Sequence, residues 1–591
     1  MGNLIKSKRI RYNVIKAFVS TVGVTFTLDI SVVSIYPLIL LMICGYIFLH
    51  NKEKNIYANM TALIFSLFLT LGKIDFIIQA GFLAGCVKAF FILIGNYLLL
   101  EWGVGYIFLV YDTYRENVGD GIGRFKLSHN IVGIFSFIVF SAVYIFVWLC
   151  EYPGIISGDS LKQIKQIVGM SPLVNHHPVA HTLWIKLWYV FAQMIGMKDI
   201  IEIIGFITFV QLLLQSAVFA FITRHIYKKT QNMYMIFFTL FFYGLLPYNC
   251  FYSVTIWKDV VHGWISGLLL ISLNNYLSSK NNNGIFLINI FILGVAFCLF
   301  RNNAYYAFIL WGIFTCIYKL RKKNYRLIGA ILMAILTSTV IKGPLYSWAG
   351  VVGGGYGENL SVPIQQIACV IANDRELKED ERELIEKVTD IGVVSEKYTN
   401  YISDPVKFSC NFDSGYFPEH KSEYFVLWLK LGLRYPKDYL TAYIKQTYGY
   451  WYPDTSYWVY YAGILSDKSD NIGLTKRAIV SEKLTENVRS LGGDVWEKDI
   501  ATEAELYDAA KIPIYASFFN LGTFTWILIC VMIYSFYRRQ QELFIPYLLL
   551  FCIFISLMMA TPVYAEFRYY YSVVVCLPLM LFLPMKRSEC I

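Results

Sequence analysis

The chain has 591 residues, of which 57% are hydrophobic, 17% aromatic and only 16% charged, with a formal net charge of +10. Its mean hydropathy of +0.51 lies outside the range of soluble globular domains. Apolar runs of about 20 residues recur, the length that crosses roughly 30 Å of hydrocarbon. Strict alternation over segments of about 10 residues, the mark of a membrane β-barrel, is absent. The class expected is an all-α polytopic membrane protein.

The basic start, Met1 to Lys16, is not followed by a small-residue cleavage site, so the first apolar run reads as a retained helix. Lys6 stands where a myristoylation signal needs Ser or Thr. Hydropathy predicts about fourteen crossings, at 13–30, 33–50, 57–74, 80–111, 129–150, 201–223, 231–250, 257–275, 285–300, 303–318, 326–344, 515–536, 544–561 and 568–585. The fourth, which contains Glu101, is long enough to bend or to hold a re-entrant piece. Lys and Arg in the short loops, such as Arg224, Lys228 and Lys229, or Arg538 and Arg539, then share one side, the cytoplasmic one, with both termini. Pro178–Met197 is apolar, but a span there would reverse that pattern. It reads as an amphipathic helix in the outer interface.

Three parts follow: a transmembrane module at 1–344 with its first outer loop at 151–200, an inserted extracytoplasmic domain at 345–514, and C-terminal helices at 515–591. The insertion carries about 26 acidic and 18 basic residues, a net charge near −8, against about +18 for the rest. Gly353, Gly354, Gly355 and Gly357 mark its entrance, and helical signals appear at Asp380–Asp390 and Thr475–Arg489. The twelve cysteines lie mostly singly in apolar runs, where they act as small hydrophobes. Cys369 and Cys410, in the insertion, are free to pair, though no spacing requires it, and no zinc-like cluster exists.

The chemistry sits at the ends of the apolar runs. Asp159, His177, Lys258, Asp259, Arg301 and Arg568 all emerge on the outer side under this threading. The first outer loop, Tyr152-Pro-Gly-Ile-Ile-Ser-Gly-Asp159-Ser160, breaks the preceding helix. Asp159 there either caps the next helix or serves as a general base. Asn175-His176-His177-Pro178-Val-Ala-His181 offers imidazoles for a phosphate or sugar, or interfacial filler. Its spacing is poor for a metal, with no third ligand evident. Lys258 and Asp259 point about 100° apart on a helix, so each needs another mate or a ligand, unless Lys258 snorkels. Arg301-Asn302-Asn303 forms a turn between two spans, and Arg568 opens the last span beside Glu566. Both guanidinium groups suit phosphate recognition or lipid head groups. Tyr450-Trp-Tyr-Pro-Asp454 is either a stacking platform for a sugar or an interface anchor.

Pro153-Gly154, Gly158-Asp159-Ser160 and His176-His177-Pro178 heading an interfacial helix resemble the first outer loop of the GT-C glycosyltransferases, multispan enzymes that take sugars from polyprenyl-phosphate carriers. Trp257-Lys258-Asp259, Arg301-Asn302-Asn303 and Glu566-Phe567-Arg568-Tyr569 are similar to a group of Gram-positive bacterial membrane proteins placed in that superfamily. The resemblance implies a GT-C-like fold in the plasma membrane. It also implies transfer of a sugar from a polyprenyl-phosphate donor to a cell-envelope glycan, lipid or protein acceptor, with Asp159 as the catalytic residue. Ser160 stands where some members carry a second acid. Phosphate contact by His176, His177, Lys258, Asp259, Arg301, Asn302 and Arg568 is our own reading. A divalent metal is compatible but unsupported, and no nucleic-acid partner is expected. Two other classes remain open. One is a transporter or flippase of lipid-linked glycans, which would place ionisable groups near the bilayer midplane, where Glu101 is the main candidate. The other is a non-enzymatic envelope assembly protein. A polysaccharide polymerase or ligase would use similar residues to the main reading.

Overall fold

The structure is a computed structural model that describes residues 2–31, 33–50, 55–117, 127–279, 284–412, 415–455, 512 and 514–585. The expected helix at Thr475–Arg489 lies outside the described residues. Among the described residues the fold is helical, and extended pairing is limited to three isolated bridges.

Each of the fourteen expected segments coincides with a helix. Seven of these helices, among the described residues, are long and apolar enough to cross a membrane on their own: Phe82–Arg115, His129–Cys150, Ile200–Thr230, Lys258–Ser278, Tyr325–Trp348, Gln541–Ala560 and Phe567–Met585. The chain is therefore a polytopic, membrane-embedded helical protein. By that measure the count is half the fourteen expected, because several apolar helices are short. Gly284–Phe300 and Leu521–Tyr537, for example, have 17 residues each.

Two expected segments take a different course. The segment from residue 80 neither breaks nor re-enters. It forms one continuous helix, Phe82–Asn117, with no proline to interrupt it. Gly95 in this helix meets Gly23 of the helix Gly2–Thr27 so closely that a Cβ on either would lie under 3.0 Å from the other's Cα. Such small-residue contacts let membrane helices approach without a hydrophobic driving force. The segment 231–250, by contrast, is broken. Met233–Gly244 and Pro247–Ser253 meet at 58°, making up one bent span or a re-entrant loop, with Pro247 in the first turn of the second piece.

A broken helix in an apolar bundle frees backbone carbonyls, which must find donors. At the break Tyr144 OH donates to Tyr243 O (2.6 Å) and Asn249 Nδ2 to Phe242 O (2.7 Å), and for the second piece and the loop after it Gln211 and Gln215 of the helix Ile200–Thr230 supply donors. Gln211 Nε2 donates to the carbonyls of Tyr252 (3.1 Å), Ser253 (3.2 Å) and Thr255 (2.8 Å), and Gln215 Nε2 donates to that of Asn249 (2.7 Å). All of these groups are buried. The amides thereby fix the loop that ends in Trp257 and Lys258.

The described part of the insertion folds around a hydrophobic cluster of its own, which includes Ile364, Ile371, Leu427 and Leu431. The expected helical signal at Asp380–Asp390 appears as the helix Glu379–Glu386. Cys369 and Cys410 remain free thiols. The insertion is pinned to the segment before the last span: Ser403 N–H donates to Pro562 O (2.9 Å), Tyr564 N–H to Tyr401 O (3.0 Å) and Gly449 N–H to Tyr564 O (2.9 Å). Tyr450, Trp451 and Tyr452 are buried in the main bundle core, with the Trp451 ring 5.6 Å from that of Phe68. They are thus neither a sugar platform nor an interfacial anchor. Their aromatic area is consumed in joining the insertion to the bundle.

Replacing Gln211 by Leu keeps the volume but strips the donors from buried carbonyls, each worth about 1–3 kcal/mol when left unsatisfied. Gln211→Leu is expected to lower the melting temperature of the purified protein clearly. Gln193→Leu, on an exposed helix position, is expected to leave it unchanged. Equal melting of the two would refute the role given to Gln211.

Candidate active site

The loop 151–160 is held in place before any charge is considered. Ser157 caps the helix Gly158–Ile167, accepting from Ser160 N–H, and Ser160 answers by accepting from Ser157 N–H, a reciprocal capping box. The cap is therefore Ser157, not Asp159, which leaves the Asp159 carboxylate free to point elsewhere. Gly154, at φ +123°, turns the chain where a Cβ would strike Thr208. From there Ile155 lies parallel to the loop that Gln211 fixes: Ile155 N–H donates to Val254 O (2.9 Å) and Ser160 Oγ to Ile256 O (2.8 Å). Trp257 Nε1 donates to Ser157 Oγ (2.5 Å). These bonds zip the segments carrying Asp159 and Lys258 together, about a hundred residues apart in sequence.

Asp159 Oδ2 accepts from Lys258 Nζ at 3.2 Å and from Arg568 Nη1 at 2.8 Å. His177 Nδ1 lies 3.9 Å from the same oxygen and 3.4 Å from Lys258 Nζ. The Arg568 guanidinium turns its Nε to Glu566 Oε1 (2.9 Å) and is centred 5.1 Å from the Trp257 ring and 5.3 Å from the Tyr569 ring. A second ion pair sits alongside. Arg301 Nη1 donates to Asp259 Oδ1 at 2.6 Å and reaches Arg568 O at 3.4 Å. Lys258 and Asp259, unable to pair with each other, thus find separate mates.

The remaining expected residues lie around this core. His176 is exposed, its ring edge-on to His177 at 4.5 Å. Asn302 Nδ2 donates to Asn175 O (3.0 Å) and its Oδ1 accepts from Lys342 Nζ (3.0 Å). His181 is not at the ion pairs. It is buried, its Nδ1 3.0 Å from Gln163 Oε1, while Gln163 Nε2 donates to Thr182 (2.9 Å), which docks the helix Val179–Met194 onto Gly158–Ile167. The opposite side of that helix exposes Leu183, Leu187, Val190, Phe191 and Met194, as expected of a helix lying in an interface.

Sequence reasoning named all the ion-paired residues but missed Lys342 and undervalued Glu566. Lys342 lies in a π-helical turn, Ile341–Leu345, at the end of an apolar helix. The usable signal was a charge beside Gly343-Pro344 where an apolar run stops.

The electrostatics are closely balanced: Lys258, Arg301 and Arg568 against Asp159, Asp259 and Glu566. Burial alone would raise the Asp159 carboxyl. The charges of Lys258 and Arg568, with His177 beside them, more than offset it and hold the carboxyl well below the usual carboxylate range. Burial pushes Glu566 up against the pull of Arg568. Burial, reinforced by Lys258, pushes His177 down to about 3, so its imidazole is neutral at physiological pH. Among the described residues its Nε2 has no hydrogen-bond partner, nor has Asp259 Oδ2. Three helices also begin here, Lys258–Ser278, Asn302–Arg321 and Phe567–Val575, none with a side-chain cap on its first N–H groups. Cations and uncapped helix N-termini together favour an anion. Among the described residues, no group of three or more His, Cys, Asp or Glu side chains is placed to hold a metal ion.

His177 and His181, both buried, make stability depend on pH. Burial also pushes His181 down to about 3, whereas an unfolded histidine titrates near 6.5. Between those values the unfolded chain binds more protons, so stability present above about pH 6.5 is lost on acidification, by about 1.4 kcal/mol per pH unit per histidine. The melting temperature is expected to fall from pH 7 to pH 5, and to fall less in the His177→Gln/His181→Gln double variant. Identical profiles would show that both imidazoles take up protons freely in the folded state.

Residues 169–590 match a family described as a family of unknown function, DUF6020. The match takes in every residue of the two ion-pair clusters except Asp159, after which it begins. No curated protein and no solved structure matches the chain. Since it extends over well more than half of the 591 residues, the match shows that the chain belongs to the DUF6020 family.

Proposed function

We propose that this protein is a membrane glycosyltransferase of GT-C type, moving a sugar from a polyprenyl-phosphate donor to a cell-envelope acceptor on the extracytoplasmic face. The observation that carries the reading is the meeting of Asp159, Lys258 and Arg568, from three distant elements, at one carboxylate oxygen beside the start of three helices.

The reaction needs little beyond these groups. The acceptor hydroxyl oxygen forms a bond to the anomeric carbon as the bond from that carbon to the phosphate oxygen breaks. The hydroxyl proton passes to Asp159, and the electron pair leaves with the phosphate. Paired as they are, Lys258 and Arg568 hold Asp159 as a weak base. A phosphate competes for both cations. As they turn to it, the carboxylate loses its partners and its basicity rises when the donor is in place. The cations then neutralise the charge that develops on the departing phosphate. Lys342, held at Asn302, extends the cationic side of the site. Direct displacement inverts the anomeric centre.

In this reading the shorter apolar helices also span. Seventeen residues reach about 26 Å, close to a bilayer core, and fourteen crossings with cytoplasmic termini follow. The transport reading finds a broken helix, but carbonyls at the break already accept from Tyr144 OH and Asn249 Nδ2, and those of the second piece and the loop after it from Gln211 and Gln215.

Asp159→Asn retains the shape and one acceptor oxygen of the side chain but neither the charge nor the base. In proteoliposomes given a polyprenyl-phosphate sugar and membrane extract as acceptor, it is expected to lose sugar transfer by at least about 100-fold while keeping its elution profile on gel filtration. Transfer at the wild-type rate would remove Asp159 as the base.

A further inference from the structure

The insertion contains a cavity of about 550 Å³, well within the size of ligand sites. Leu360, Ile364, Ile367, Phe417 and Phe425 form much of its wall. Aromatic walls in an extracytoplasmic domain invite a sugar, but a sugar needs free polar partners. Two of the polar wall groups are already used, Tyr424 OH donating to Leu384 O (2.8 Å) and Trp428 Nε1 to Gln366 Oε1 (2.8 Å), while Tyr356, Asn359 and Lys421 stand at exposed positions. The surface left to a ligand is almost entirely carbon.

At the mouth stands one cation. Lys421 is exposed, with its Nζ 4.2 Å from the centre of the Tyr356 ring, and among the described residues it has no carboxylate partner within salt-bridge distance. The helix Lys421–Arg434 continues the apolar surface outwards, leaving Phe425, Val426, Leu429 and Leu433 exposed on one face. The opposite wall of the cavity stands at the edge of the membrane bundle. Gln446 Nε2 donates both to Ser361 O (3.2 Å), beside Leu360, and to Thr561 O (2.8 Å), the residue that ends the span Gln541–Ala560.

From these features we propose that the cavity binds the hydrocarbon chain of an anionic, phosphate-bearing lipid, with Lys421 at the phosphate. Carbon walls supply the affinity for the chain, and the single ammonium at the mouth sets the sign of the head group. Val174 pairs with Val352, and Gly354 packs near the backbone of His176, so the segment that reaches Tyr356 also borders the ion-paired site. The proposal does not rest on glycosyl transfer. A lipid chain is bound there whether or not Asp159 acts as a base.

The test uses the full-length protein in nanodiscs and a C16 alkyl phosphate carrying a diazirine, with labelled peptides mapped by mass spectrometry. Saturable labelling of peptides covering 356–367 and 412–428 is expected. Ile367→Trp, which fills the cavity, is expected to reduce it by about tenfold or more, and Lys421→Glu, on the surface and safe for folding, by about fivefold or more. Lys421→Glu is also expected to leave labelling by the uncharged C16 diazirine alcohol unchanged. Competition by phosphatidylglycerol or by a long-chain polyprenyl phosphate tells which lipid is the source. Absent or unsaturable labelling overturns the proposal. So do labelling that persists in both variants at unchanged melting temperature, and protection by an oligosaccharide but by neither lipid.

Discussion

Asp159 shares one carboxylate oxygen between Lys258 and Arg568, and this end of the bundle is arranged so that it can. Partly buried charges at this depth are costly unless paired, so each must be delivered within about 3 Å of its mate by elements that are themselves rigid. Two different devices do this. Backbone pairing zips the Asp159 loop to the loop before Lys258, while the docking of the insertion on Pro562 and Tyr564 sets the entry of the helix that carries Arg568. The insertion thus belongs to the architecture of the site, even though it folds around a core of its own.

The same economy governs the interior. Polar side chains inside the bundle are spent on backbone groups that a straight helix would have satisfied itself. Gln211 and Gln215 hold the broken segment, Tyr243 OH donates to Val575 O (2.7 Å), and Trp311 Nε1 to Ile545 O (2.8 Å). These groups are structural. The pairs of Asp159 differ from them in standing partly exposed at helix starts, with Asp159 keeping 26% of its side-chain surface, whereas the Arg301–Asp259 pair beside them is buried. A ligand can reach them without unfolding the bundle, and an anionic one would exchange partners with Asp159 instead of meeting a bare charge.

Much of this was legible in the sequence, and for one reason. In an apolar chain a charge is expensive, so the residues at the ends of spans stood out without any knowledge of their mates. Lys258 and Asp259 could also be denied each other from helix geometry alone. What stayed hidden depends on three-dimensional partners. That Ser157 rather than Asp159 caps its helix turns on whether Ser160 folds back. That Tyr450 to Tyr452 are interior turns on what packs against them. The break at Leu245 and Leu246 and the continuity of Phe82–Asn117 are tertiary choices in segments that both read as apolar spans. Lys342 was hidden because an apolar helix reads as a span whether its last turn is α or π.

The convergence of charges is tested most directly by a double-mutant cycle on Asp159→Asn and Arg568→Gln, reading unfolding free energy in one detergent. A shared ion pair at 2.8 Å requires the two substitutions to be coupled by about 0.5–3 kcal/mol. Additivity within about 0.3 kcal/mol would place the two side chains apart and contradict the site on which the functional reading stands.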